Sequence, residues 1–150
     1  GAIAGLVAIT PACGWAGPMG AILLGLVVGA VCFWSVTVLK VKLGYDDSLD
    51  AFGVHGVGGM IGALGTAVVA NPALGGTGVW DYVANGVAEY NLMGQLTSQL
   101  WGVVVCIIWS GVVSFIAFKL IDMLIGLRVS EDVEREGLDI NEHGETAYHL

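Results

Sequence analysis

His55 is the one histidine set in apolar sequence, inside the run Asp46-Asp47-Ser48-Leu49-Asp50-Ala51-Phe52-Gly53-Val54-His55-Gly56-Val57-Gly58-Gly59. Residues 51–70 around it carry no Asp, Glu, Lys or Arg. An imidazole accepts a hydrogen bond at one nitrogen while donating from the other, so it can guide a small polar hydride or relay a proton. Ionisable groups in an apolar span are costly to bury, and they usually face a bundle interior or a polar path. Gly59 and Gly62 follow at four and seven residues, which on an α-helix puts them on the imidazole's face and leaves that face bare. Spacing alone leaves a second reading equally open, an imidazole satisfied by a backbone carbonyl.

Asp47 and Asp50 stand three apart just before the same stretch. One can cap the free N–H groups of a helix start while the other sits favourably in its dipole. Alternatively, a carboxylate here organises the mouth of a pore. Trp34 lies five residues inside its apolar stretch, deeper than an interfacial anchor needs to be. Packing is the simpler role for it. Cys13, Cys32 and Cys106 are odd in number and widely spaced, which is neither a disulfide framework nor a zinc pattern. They read as small buried hydrophobes.

The elements that position these residues follow from hydropathy. The 150 residues are 56% hydrophobic and 12% charged, against about 25% charged in an ordinary soluble domain. Crossing a bilayer as helix takes about 20 apolar residues. Residues 16–39 qualify and carry no charge; residues 48–70 qualify once past their acidic start; residues 94–127 carry only Lys119 and Asp122. Residues 1–10 are apolar but too short, and read as the end of a truncated helix in the C-terminal part of a longer chain. The expected class is an all-α integral membrane protein, a transmembrane helix bundle over 1–127 with a water-exposed tail over 128–150. The 34 residues of 94–127 would extend about 51 Å as helix, against a core about 30 Å thick, so they must tilt or emerge into water. Gly25 and Gly29, and Gly58 and Gly62, have the four-residue spacing that lets helices approach closely in lipid.

Charge sets the expected orientation. Lys40 and Lys42 lie in the first short loop, and Lys119, Arg128 and Arg135 lie at the end of the last span and beyond; segments 10–18 and 71–93 hold no Lys or Arg. The positive-inside rule makes 40–47 and the tail cytoplasmic. Trp80, Tyr82, Tyr90 and Trp101 then form an aromatic belt at the outer end of the last span. Net charge is −8, and seven of the thirteen acids fall in the last twenty residues, which gives no reason to expect nucleic acid as a partner.

The stretch DDSLDAFGVHGVGG (residues 46–59) resembles the pore-histidine helix of the Amt/Mep/Rh ammonium transporter family, nearest its bacterial Amt branch. AGLVAITPACGW (residues 4–15) resembles the end of that family's eighth span, and GLRVSEDVEREGLDINEHGETAY (residues 126–148) its regulatory C-terminus. The resemblance implies an eleven-helix fold of two inverted halves, assembled as a homotrimer in the inner or plasma membrane. This chain would supply the end of span eight, spans nine to eleven and the tail. It implies that His55 is the second of two pore histidines, that Trp34 lines the pore, and that Asp50 stands near the cytoplasmic vestibule. Gly137 and Asp139 fall in the regulatory tail, where a PII-type signalling protein often docks on the same face. The implied activity is passage of ammonium or ammonia, with neither a cofactor, a metal nor an enzyme reaction. The first histidine and the outer recruitment site would belong to the upstream half. Asn141 stands where plant relatives carry a phosphorylated threonine, which leaves no such switch at this position.

In the tail, Val129, Val133 and Ile140 are spaced by four and seven around Gly137. This pattern predicts a short amphipathic helix, a break, then an extended segment. Two rival activities are weak on their motifs. Asn71-Pro72-Ala73 is the aquaporin tripeptide, but it occurs once and no Arg follows shortly after it. Ser110 in Ile108-Trp109-Ser110-Gly111 lacks the first glycine of an intramembrane serine protease motif. An ammonium sensor that keeps the transporter fold and signals through its tail is the closer alternative.

Overall fold

A computed structural model describes residues 1–146. The tail expected over 128–150, and the match that ends at Tyr148, therefore run past the described residues at Ala147. The chain divides into two compact units, Gly1–Cys106 and Ile107–Leu150. That divide lies twenty-one residues before the boundary expected from hydropathy, inside a continuous helix.

The first unit is built on α1 (Ala2–Ile9), α2 (Pro18–Leu43) and α3 (Phe52–Val69). Helix α2 starts where Pro18 occupies the first turn after the extended Gly17, since a missing N–H there breaks no helical bond. It ends at Gly44, whose φ of +64° is left-handed. The three helices pack on one another through small residues. Ala4 and Ala8 of α1 are buried, as are Gly20, Leu24, Val28 and Cys32 of α2 and Gly58, Gly62 and Thr66 of α3. A Cβ at Gly62 would strike the carbonyl of Ala8, and one at Gly58 would lie 3.1 Å from Cys32 Sγ. So the Gly58/Gly62 pair is used for close approach. Gly25 and Gly29 are not: nothing among the described residues lies within 4 Å of a Cβ at either. The buried stripe of α2 is set by Leu24, Val28 and Cys32 instead, one residue before each glycine or three after it.

Two stretches of these helices are wound as π-helical turns, Ser35–Leu39 in α2 and Phe52–Gly56 in α3. They face each other, because a Cβ at Gly53 would lie 2.6 Å from Val36 Cγ1 and 3.5 Å from Ser35 Oγ. Beyond α3, Asn71 accepts a bond from Ala73 N–H at 3.0 Å and caps one 3₁₀ turn, Pro72–Leu74. The aquaporin-like tripeptide is thus a capped turn in a loop. A two-residue hairpin follows, β1 (Trp80–Asp81) against β2 (Gly86–Val87), antiparallel with Trp80 opposite Val87. Its turn is closed by Asp81, whose carboxylate accepts from the N–H groups of Val83 and Ala84 at 2.7 and 3.0 Å. Those two bonds, Ala84's first, hold the Asp81 carboxyl below its ordinary pKa. Tyr90 donates its hydroxyl to Ala67 O at 2.5 Å, and desolvation pushes that hydroxyl's pKa up. Tyr90 thus ties the loop to α3.

Helix α4 (Leu92–Leu124) runs 33 residues. It is one of three helices long and apolar enough to cross a membrane, with α2 and α3. This mostly helical chain with three long apolar helices is what a membrane helical protein requires. In the second unit, α5 (Glu131–Glu136) carries Arg128 across its first turns, bonded to Glu134 at 2.9 Å through Nε and 3.1 Å through Nη2. Gly137 breaks the helix at φ +112°. The following segment is not extended, as the spacing predicts, but turns again as a π-helical Asp139–His143. Asn141 explains the difference: its side-chain amide bonds Gly137 O at 3.1 Å and Glu136 Oε2 at 3.3 Å, drawing the chain back on itself.

Candidate functional site

The motif around His55 is held first by its own start. The carboxylate of Asp47 accepts from the N–H groups of Phe52 and Gly53, at 3.1 and 3.2 Å, and so caps α3 from outside the helix. Tyr45 packs edge-on to Phe52, ring centres 5.6 Å apart at 86°. Asp50 does not share the capping role. It adopts a left-handed φ of +55°, and its Oδ1 receives the Lys40 ammonium at 2.5 Å. Lys40 also donates to the backbone oxygen of Asp47 at 3.1 Å. Asp47 is therefore the capping acid, and Asp50 pairs with Lys40.

His55 and Asp50 then line one cavity of about 380 Å³, with Ala4 from α1 and Gly29, Cys32 and Phe33 from α2 among its other walls. The room beside the ring is real, but its source differs from the expectation. Gly29 borders this cavity, whereas Gly62 packs on Ala8, and Gly59 is not among the lining residues. His55 lies in the π-helical turn Phe52–Gly56, whereas Gly59 and Gly62 lie in the α-helical run beyond it. His55 is exposed in this chain, so the burial expected of it is not provided by α1, α2 and α3 themselves.

Trp34 stands next to Phe33 but is not a wall of this cavity, and 48% of it is exposed. It is the last residue before the π-helical turn of α2. The structure thus brings His55 and Asp50 together and leaves Trp34 on a neighbouring face. Of the three cysteines expected to be buried hydrophobes, Cys13 and Cys106 are exposed, and the expectation holds for Cys32. Cys32 is buried, its thiol reaches Val54 O at 3.7 Å, and it walls the cavity. Lys40 was legible only as a topological marker. Its ten-residue separation from Asp50 becomes a contact because Gly44 reverses the chain between them. Ser35 Oγ is buried without a hydrogen-bond partner among the described residues, where the two π-helical turns meet.

A larger cavity of about 560 Å³ lies between α2 and α3, walled by Met19, Leu23, Val27, Leu64 and Val68. It offers no titratable group among its walls. In the tail, a Cβ at Gly137 would fall 2.8 Å from Asp139 Oδ1, so these two residues share one tight turn.

The same stretches that build this site are matched in known proteins. The chain is 42% identical over 148 residues to an ammonium transporter of Bacillus subtilis, covering 99% of this chain and 35% of that protein. It is 41% identical over 150 residues to an ammonium transporter of Aquifex aeolicus, covering 100% of this chain and 33% of that protein. Ammonium transporter 1 of Dictyostelium discoideum is 41% identical over 149 residues, which is 99% of this chain and 31% of that protein. The chain spans about a third of the length of these curated relatives. The model of the Ammonium Transporter Family matches residues 1–148, through the capped α3, its histidine and the tail alike. On that match, which leaves out only the last two residues, the chain belongs to the ammonium transporter family.

Proposed function

We propose that the whole protein carrying this chain conducts ammonium or ammonia across a membrane, and that His55 stands beside the path. The observation that supports this most directly is His55 and Asp50 on one cavity, between helices packed closely enough by small residues to be a bundle. The names of the relatives point to the same substrate. An ammonium ion resists transfer into an apolar passage because desolvating a charge costs far more than desolvating a small neutral amine. In this reading the ion loses its proton before the narrow part of the path. Ammonia then passes His55, which accepts from or donates to it, and a partner histidine relays the proton. Trp34 lines the same path, and Asp50 organises its inner mouth. The loop over 40–47 and the tail face the cytoplasm of a cell membrane. Three copies assemble, each with its own pore, and the tail with Gly137 and Asp139 couples them and meets a PII-type signalling protein.

The test is His55→Leu in the whole protein reconstituted into liposomes. Ammonium-evoked current falls or changes its ion selectivity, while the protein assembles as before. Wild-type currents with wild-type selectivity would contradict the role given to the imidazole.

A further inference from the structure

Lys40 enters the transport reading only as a positive charge near the cytoplasm, yet it pairs with Asp50, a wall of the His55 cavity. Its ammonium meets Asp50 Oδ1 at 2.5 Å, and Asp50 walls the cavity that His55 also walls. The pair is partly shielded, with 26% of the lysine and 40% of the aspartate side chain exposed. A simple staple between the end of α2 and the start of α3 is the plain alternative. Two observations argue against it. Half-exposed ion pairs contribute little to stability. In addition, α3 is already capped by Asp47, so Asp50 is not needed to start the helix. Asp50 nevertheless holds a left-handed backbone, φ +55°, that non-glycine residues seldom adopt. Strain of this kind gathers where geometry serves a site.

We infer that Lys40 is a positioning and selectivity residue, which pins the Asp50 carboxylate at the rim of the His55 cavity and neutralises it there. The inference rests on the transport reading. An unpaired carboxylate beside a cavity with apolar walls concentrates monovalent cations at its mouth. In the transport reading the species that passes His55 is neutral ammonia, which a bare carboxylate does not concentrate, so the alkali cation alone gains from it. A carboxylate matched by Lys40 leaves the rim neutral and still offers oxygen atoms as hydrogen-bond acceptors. A neutral amine passes such a rim, and an alkali cation gains nothing by entering.

The experiment compares ammonium-evoked with potassium-evoked currents in liposomes carrying the whole protein. Lys40→Met lowers ammonium-over-potassium selectivity about tenfold, the low end of what a focused charge does to local cation concentration. Lys40→Arg keeps wild-type selectivity, because it restores the charge within reach of Asp50. The double variant Lys40→Met with Asp50→Asn recovers selectivity, since the carboxylate to be neutralised is gone. A merely structural lysine would show no such recovery. Lys40→Gln, which can still donate a hydrogen bond but has no charge, loses selectivity as Lys40→Met does, and it decides the matter should Lys40→Met fail to assemble. Unchanged selectivity in both uncharged variants, or a double variant as unselective as the single, overturns the inference while leaving ammonium transport standing. A wild-type protein that carries no ammonium overturns the transport reading itself, and this inference with it.

Discussion

A methyl group added at Gly62 would point into the backbone of Ala8, with Ala8 Cα 3.0 Å away, and backbone cannot rotate aside. A methyl group at Gly65 would instead meet the tip of Leu24, Cδ1 at 2.5 Å, which can change rotamer. The two glycines lie three residues apart on one helix, yet they respond differently to the same substitution. Gly62→Ala lowers the stability of the whole protein by about 1–3 kcal/mol, the usual penalty of overpacking, and Gly65→Ala by less. Thermal unfolding in lipid nanodiscs checks this; equal losses would mean that α1 and α3 are not in close contact there. His55 shows the complementary lesson. Its residue type and apolar setting were legible in the sequence, since an imidazole in an uncharged span stands out. Its neighbours were not, because Gly29, Cys32 and Ala4 reach it from other helices.

At the scale of elements, the tail turns on Gly137. Its φ of +112° is one that L side chains rarely adopt, and an added side chain also meets Asp139 Oδ1. Gly137→Asp adds a second carboxylate at that contact, so strain and like-charge repulsion act together. The turn that Asn141 closes onto Gly137 O is then lost. In the whole protein, methylammonium uptake is abolished by Gly137→Asp while the assembled complex keeps its size on a native gel. Undiminished uptake would remove the tail from any coupling role. The helix before this break is shorter than the spacing of Val129 and Val133 suggests, since it begins at Glu131 and leaves Val129 outside. The helical turn after it was hidden, because it is held by backbone bonds such as Asn141 N–H to Gly137 O and by the Asn141 side chain, which apolar periodicity does not record.

At the scale of the whole molecule, the length of α4 constrains its placement in a bilayer. Its 33 residues extend about 50 Å as helix, well beyond a hydrocarbon core about 30 Å thick. Lys119 and Asp122 near its end are the residues that gain most from water. With Cys13, Cys32 and Cys106 replaced by serine or alanine, single cysteines at 42 and 122 react with an impermeant thiol reagent from the cytoplasmic side. A cysteine at 82, on the exposed hairpin tip, reacts from the opposite side. Labelling of 42 and 122 from different sides would overturn the positive-inside orientation.

Composition and order of residues were enough to determine the class of this chain, because the bilayer demands long apolar helices and the sequence contains three. They were also enough to single out His55, Asp47 and Asp50, since polar groups beside such spans are costly unless used. Only the tertiary structure decided which acid caps the helix and which meets Lys40, and which glycines leave room beside the ring. Those outcomes depend on the reversal at Gly44 and on how α1, α2 and α3 pack on one another, neither of which hydropathy records.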